Sequence, residues 1–575
     1  MDRAASHILP AGSRRPSLRI ALAAAICLAA GPALAQRPHP VGVLPAGDLR
    51  PLGPSQASQA DVIRFLEQAT FGPSDALLTH VQRIGFEAYL DEQFAAPAST
   101  YPSLLQMPAS TSDGCPAGSP STCTRDNYTM FPLQVQFFRN ALGGEDQIRQ
   151  RVALALHEIL VISGVKIQQP SEVAPYLNML AEDAFGNYRQ LLADLTLNPG
   201  MGHYLDMVNN DAPVPKSATS PNENYAREVL QLFSIGVNQL DPDGTVVVDG
   251  GGNPVPTYVQ DTIEDFAHVF TGWTYAPYAG LAPLRHNPAN FLSPMVLYRN
   301  SAGLDTNHDK GTKLILSYPG AVDSTIPPNE DGNVELAQAL DNIFHHPNVG
   351  PFIGKQLIQH LVTSNPNAAY VARVTAAFDD NGSGVRGDMK AVVRAILMDP
   401  EARGDVKTDP AYGHLREPLL FITGVLRAFH ATTDGELAAQ ANAMGQNLFN
   451  SPTVFSYYPH EYLVPGTTVQ GPEFGIQSSS AAEARLNFLN SLTTTGIRTT
   501  DGGTAVDLSA LVPFAGTPAV LAGKLNETLL HGTMSSAMEA AVATAVAAVP
   551  ATNPLLRVQT AVYLVAGSSQ YQIQR

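Results

Sequence analysis

The chain has 575 residues, 44% of them hydrophobic and only 15% charged, with 51 acidic against 34 basic side chains and a formal charge of −17. That acidic balance argues against nucleic acid or anionic lipid as the principal partner. The length is several times that of a typical domain and allows roughly two to four units.

The N-terminus reads as an export signal. Arg14 and Arg15 precede an Ala/Leu-rich core over residues 20–30, and Ala33-Leu34-Ala35 offers small-x-small cleavage that leaves Gln36 first. The paired arginines approximate a twin-arginine signal, which carries an already folded protein. Ser17 stands where a large apolar residue is usual, so the general secretory route is the alternative. Cleavage would leave 30 basic and 50 acidic residues, a formal charge of −20. No later segment offers about 18 uninterrupted apolar residues. The expected product is therefore periplasmic or extracellular, with no transmembrane segment after signal removal.

Residues 36–57 read as a Pro-rich linker, 58–430 as a main helical domain with loop insertions at 241–259 and 276–333, and 431–575 as a C-terminal helical portion. The helical pattern starts at Asp61 and gives helices over 61–70, 74–84 and 86–94. Cys115 and Cys123 follow, eight apart in a Gly/Pro/Ser-rich loop, while Cys27 leaves with the signal. An oxidising compartment favours a disulfide between them. Zinc is the rival, but it needs two further ligands and the spacing matches no standard knuckle. Helices are then expected over 132–142, 145–163 and 172–197.

The segment SPNENYAREVLQLFSIG, residues 220–236, reads as a helix with both ends specified. Ser220 suits the N-cap, Pro221 the first helical position and Gly236 the stop, while Glu223 stands where a capping box needs a carboxylate. Tyr225, Val229, Leu232 and Phe233 form an apolar stripe, which leaves Glu223, Asn224, Arg227, Glu228 and Gln231 together on the other side. A wet surface is the plain reading of that side, since an i,i+4 Glu–Arg pair contributes only about 0.2–0.5 kcal/mol.

A Gly/Pro/Asp/Asn-rich excursion over 241–256 carries a β-like run at 245–248, with Gly250 to Gly252 as a flexible tip. A helix over 260–270 leads to Trp273, the sole tryptophan. Two strands, 295–299 and 313–317, are expected on either side of the loop NSAGLDTNHDKGT. Helices resume at 334–344, 351–363, 368–378, 388–398, 417–429, 481–492, 518–530 and 556–566, with an Ala-rich stretch over 536–549. The fold class is mainly α: a multi-helix globular protein with long irregular loops and one or two small β-hairpins.

Together with RFLEQATFGP (64–73), AFGNYRQLLADLTLNPGMGHYL (184–205), FTGWTY (270–275), HPNVGPFIGKQLIQHLVTSNP (346–366) and SPTVFSYY (451–458), the 220–236 segment resembles one exported bacterial family. It is catalogued as domain of unknown function 1800. The resemblance implies a mostly helical exported protein, and relatives are commonly encoded beside a second exported family that looks like sulfatases, which suggests a partner. It transfers no catalytic residue.

Candidate chemistry therefore rests on the residues. His157-Glu158 opens like a metalloprotease HExxH, but Val161 stands where the second histidine belongs. The pair could serve as base and orienter, against a core histidine with a hydrogen bond. Asp305, Asn307 and Asp309 alternate around His308 and offer oxygen ligands for a divalent cation, against a solvated hairpin loop. Asp379 to Gly384 imitates a calcium loop whose twelfth position is Lys390, so a turn is preferred. His345, His346 and His360 flank one helix. No serine-elbow, nucleotide or c-type haem motif occurs.

Two readings compete. The first is an accessory or binding protein working outside the cytoplasm, with long polar loops suited to recognition. The second is a hydrolytic or metal-dependent enzyme with Glu223, Arg227, Glu228 and His157 as catalytic groups and Asn224, Gln231, Arg189 and Trp273 as binding groups.

Overall fold

A computed structural model describes residues 57–575 apart from 109, 215–219 and 405–406. The export signal, Cys27 and nearly all of the linker lie outside the described residues. The architecture is mainly α, from helix Gln59–Ala69 to helix Ser569–Gln572. Strands occur, among the described residues, only as four two-stranded antiparallel pairs.

The described chain divides into two units, residues 57–507 with 573–575, and Leu508–Gln572. In the smaller one, helices Pro518–Leu530, Ser536–Ala548 and Pro554–Ala566 pack on each other. Leu521, Leu525, Val542, Val546, Val558 and Val562 are buried there.

In the larger unit many helices start where a short polar side chain takes an orphan backbone N–H. Ser58, Ser74, Asn187, Asn367 and Asp388 all do so. Helix Gln147–Ile159 packs against Pro170–Asp183 and against Val349–Leu361, which in turn lies on Ala368–Asp379. Disulfide Cys115–Cys123 closes the loop ahead of helix Phe131–Gly143.

Three expectations change. The single helix over 172–197 is two, Pro170–Asp183 and Tyr188–Leu197, because Asn187 turns extended and caps the second through the Arg189 N–H. The strands around 295–317 do not pair with each other. Val296–Leu297 pairs with Trp273–Thr274, and Lys313–Leu314 with Thr325–Ile326. The loop between them makes its own turn, in which Asn300 Oδ1 accepts the N–H groups of Ala302 and Leu304.

The third change concerns the 220–236 segment, whose helix covers only Asn224–Gln231. Asn222 Oδ1 accepts the Asn224 N–H at 2.8 Å and does the work expected of Ser220. Glu223 turns to Arg227 and makes no side-chain cap. Gly236 is not the helix stop expected of it, since the C-cap is Leu232; it ends the turn that follows. At φ +70° it occupies the left-handed region, where a Cβ would meet the Phe352 ring at 2.7 Å. Beyond it the excursion closes into a narrow ladder, with bridges Asn238–Pro256, Leu240–Val246 and Val248–Pro254. Its base walls the cleft described next.

Candidate functional site

Helix Gln147–Ile159 buries both Arg151 and Glu158, seven residues and two turns apart on one face. Glu417 stands at the start of helix Pro418–Ala428, whose apolar run forces that helix, and the carboxyl leading into it, into the interior. Gln446 lies between the two acids and is fully buried. Its Oε1 accepts the Leu419 N–H at 3.0 Å, which orients the amide, so Nε2 donates to Glu158 Oε1 at 2.9 Å and to Glu417 Oε2 at 2.7 Å.

The Tyr458 hydroxyl completes the pair, 3.0 Å from Glu417 Oε2 and 3.4 Å from Glu158 Oε2. Burial raises the Glu158 carboxyl to about 7, opposed by a hydrogen bond with Glu417 and by Arg151 and Gln446. Glu417 also rises to about 7, through burial and then through the charge of Glu158. The pair therefore holds one proton near neutrality, as like charges in close contact must.

Around the pair, His360 Nδ1 lies 3.3 Å from Glu158 Oε2, and the Arg151 guanidinium donates to the His360 carbonyl at 2.7 Å. Burial lowers the His360 pKa, against the pull of Glu417 and Glu473. Glu473 is held by His414 Nδ1 at 3.1 Å and by the Ser364 hydroxyl at 3.1 Å.

A cavity of about 220 Å³ opens onto this cluster, with Glu158, His360, Tyr458 and Glu473 in its wall. Leu240, Val246, Phe352, Lys355 and His460 line it as well. The residues combine a shared proton, a phenol that touches both acids and a mostly apolar enclosure. That combination can accept and return protons at a bound substrate.

The residues singled out in the sequence scatter around this centre. Gln231 lines the cavity. Glu223 and Arg227 form a half-exposed ion pair at 2.8 Å that Gln260 joins, and Asn224 donates to Asp206 at 2.8 Å. Burial raises Glu228 to about 7, against Arg227, and its Oε2 is buried with no partner among the described residues.

His157 points away from Glu158, edge-on to the Tyr176 and Phe449 rings. Burial lowers it to about 4, and its Nδ1 lacks the hydrogen bond expected of a core histidine. Arg189 binds Asp341 at 2.6 Å on helix Gly332–Phe344, and Trp273 is buried in its strand pair. No hydrogen bond or ion pair among the described residues ties His157, Arg189 or Trp273 to helix Asn224–Gln231.

Asp305, Asn307 and Asp309 diverge. Asp305 takes Lys310 at 2.7 Å, Asn307 donates to Asp211 at 2.9 Å, and Asp309 faces His268 at 3.2 Å. Among the described residues no group of three or more His, Cys, Asp or Glu side chains is gathered for a metal. His308 instead joins Glu335 at 3.0 Å, and Lys313 joins the same carboxylate at 2.7 Å, in a fully buried triad. The 379–384 turn is an Asx turn, with Asp380 Oδ1 accepting the N–H groups of Gly382 and Gly384.

Sequence reading passed close to the cleft, through Glu158 and His360, but missed Glu417, Gln446, Tyr458 and Glu473. A carboxylate set against an apolar run, as in LALHEILVIS and REPLLFITGVL, was the signal.

Fold and site thus define a class: a mainly helical protein with a buried carboxyl pair, joined by Gln446 and Tyr458, beside a cleft. The chain belongs to the family described as "Protein of unknown function (DUF1800)", whose profile matches residues 64–573. No curated protein and no solved structure matches it.

Proposed function

We propose that this protein is an acid–base hydrolase acting outside the cytoplasm, with the Glu158–Glu417 pair as its proton store and the cleft as its substrate site. The enzymatic reading of the sequence moves with the geometry, from helix Asn224–Gln231 to the cleft. The carrying observation is that two buried carboxyls share the Gln446 amide and the Tyr458 hydroxyl while one of them faces a cavity.

In the working state Glu417 holds the proton and Glu158 is ionised. A water beside Glu158 gives it a proton as the water oxygen attacks the substrate's electrophilic carbon. The departing oxygen takes the Tyr458 proton, and Tyr458 is refilled from Glu417. The proton now on Glu158 passes to Glu417 and resets the pair. His360 orients Glu158, and Arg151 limits the negative charge that accumulates.

The Cys115–Cys123 disulfide supports an oxidising compartment. The sulfatase-like partner that the family resemblance implies is not needed by this reading.

The test is infrared spectroscopy of the mature protein between pH 5 and 8, with screening of hydrolysis on polymer substrates. A protonated-carboxyl C=O stretch should persist at pH 6 and lose the intensity of this pair in E158Q/E417Q, while other raised carboxyls such as Glu228 keep theirs, and E158Q should abolish any hydrolysis while leaving circular dichroism unchanged. Absence of that band in the wild type, or full turnover in E158Q, overturns the proposal and leaves the cleft to a binding protein.

A further inference from the structure

One cleft residue is left over by proton chemistry. Lys355 projects from helix Val349–Leu361 into the cavity, half-buried between the Phe352 side and the ladder base at Gly244 and Val246. Among the described residues its ammonium has neither a hydrogen bond nor an ion pair. Burial lowers its pKa, opposed by Glu461 acting through space. A cation so placed is costly unless something anionic meets it.

His460 stands in the same wall, with its ring edge-on to Phe352 at 5.6 Å and Nδ1 buried without a partner. Burial lowers its pKa, opposed by Glu461 in the same wall and reinforced by Lys355 and His360. Lys355, His360 and His460 all line the same cavity as Glu158. Gln231, Gln356 and Asn238 add amides around it. The cavity, about 220 Å³, is below the roughly 300–1,000 Å³ of drug-sized sites and has room for one ring-sized unit.

We infer that Lys355 and His460 form an anion subsite for a carboxylate carried on a hydroxyl-rich ring, so that the cleft takes a uronic acid unit. The inference rests on the acid–base reading of the same cleft. Lys355 Nζ meets the carboxylate, His460 Nδ1–H donates to it, and the amides serve the ring hydroxyls. The apolar wall at Leu240, Val246 and Phe352 covers the ring face. In a chain this acidic, a local cation is what lets an anionic unit approach two glutamates.

The experiment is calorimetric titration of the mature protein with galacturonate, galactose and acetate. Galacturonate should bind, with galactose and acetate each weaker by about ten-fold or more, the loss expected when a charge-assisted contact or the ring contacts are missing. K355Q should lose about ten-fold in galacturonate affinity, whereas K355R keeps most of it. Equal binding of galacturonate and galactose, acetate binding as tightly as galacturonate, no galacturonate binding, or unaltered affinity in K355Q would each overturn the inference. Because the infrared test needs no ligand, loss of the carboxyl band with galacturonate binding intact defeats only the acid–base reading. The band without such binding defeats only this one.

Discussion

Glu158 Oε2 and Glu417 Oε2 both lie against one hydroxyl, that of Tyr458, at 3.4 and 3.0 Å. One phenolic hydrogen cannot serve two carboxylates at once. The contact therefore ties the protonation of the two acids together, and the following expectations start from it.

The pair makes stability depend on pH. Both carboxyls are raised to about 7 from the ordinary glutamate value of 4.5, so between those values the native state binds more protons than the unfolded state. Their contribution is fully present below about pH 4.5 and is lost as pH rises through about 7. Urea unfolding should show the wild type losing on the order of 5 kcal/mol more than E158Q/E417Q between pH 5 and pH 8. Parallel pH profiles for the two proteins would contradict this.

The triad His308–Glu335–Lys313 is architecture. Glu335→Ala removes the nearer counter-charge of the fully buried Lys313 ammonium and leaves it only Asp309 Oδ1 at 3.6 Å, at a cost of about 3 kcal/mol. The double variant K313M/E335L should recover most of that loss. Thermal melts of the wild type and both variants decide it, and a double variant as unstable as E335A would refute the assignment.

Arg227 should matter little. Its pair with Glu223 is half-exposed and sits at i,i+4, so R227A is expected to cost less than about 0.5 kcal/mol and to leave galacturonate affinity unchanged. A large effect in calorimetry would return attention to helix Asn224–Gln231.

His157 is buried with an unpartnered Nδ1 and a pKa lowered to about 4. A lowered histidine adds stability above about 6.5 that is lost as pH falls through about 4. H157L should therefore remove part of the acid limb of a melting profile. Near pH 7 it should be neutral or stabilising by about 1 kcal/mol, because an unsatisfied buried nitrogen leaves with the ring.

The sequence was legible where local physics acts alone. The apolar periodicities placed most helices to within a few residues, as at Asp75–Ile84 and Met389–Met398. It misled where a side chain could choose among partners. Asn222 took the cap from Ser220, Glu223 preferred Arg227 and Gln260 to its own helix end, and the strand at Val296–Leu297 found Trp273–Thr274 instead of its sequence neighbour.

By itself, then, the sequence determined a mainly helical family member, a cysteine pair able to close a loop, and the residue types from which any site had to be made. Only the tertiary structure decided which of them meet. Glu158, Glu417, Gln446 and Tyr458 lie on four separate stretches, from an early helix to a late loop. The raised pKa values and the shared proton arise from burial and from distances of about 3 Å between those stretches. Neither quantity exists until the helices pack, so no spacing along the chain could have carried it.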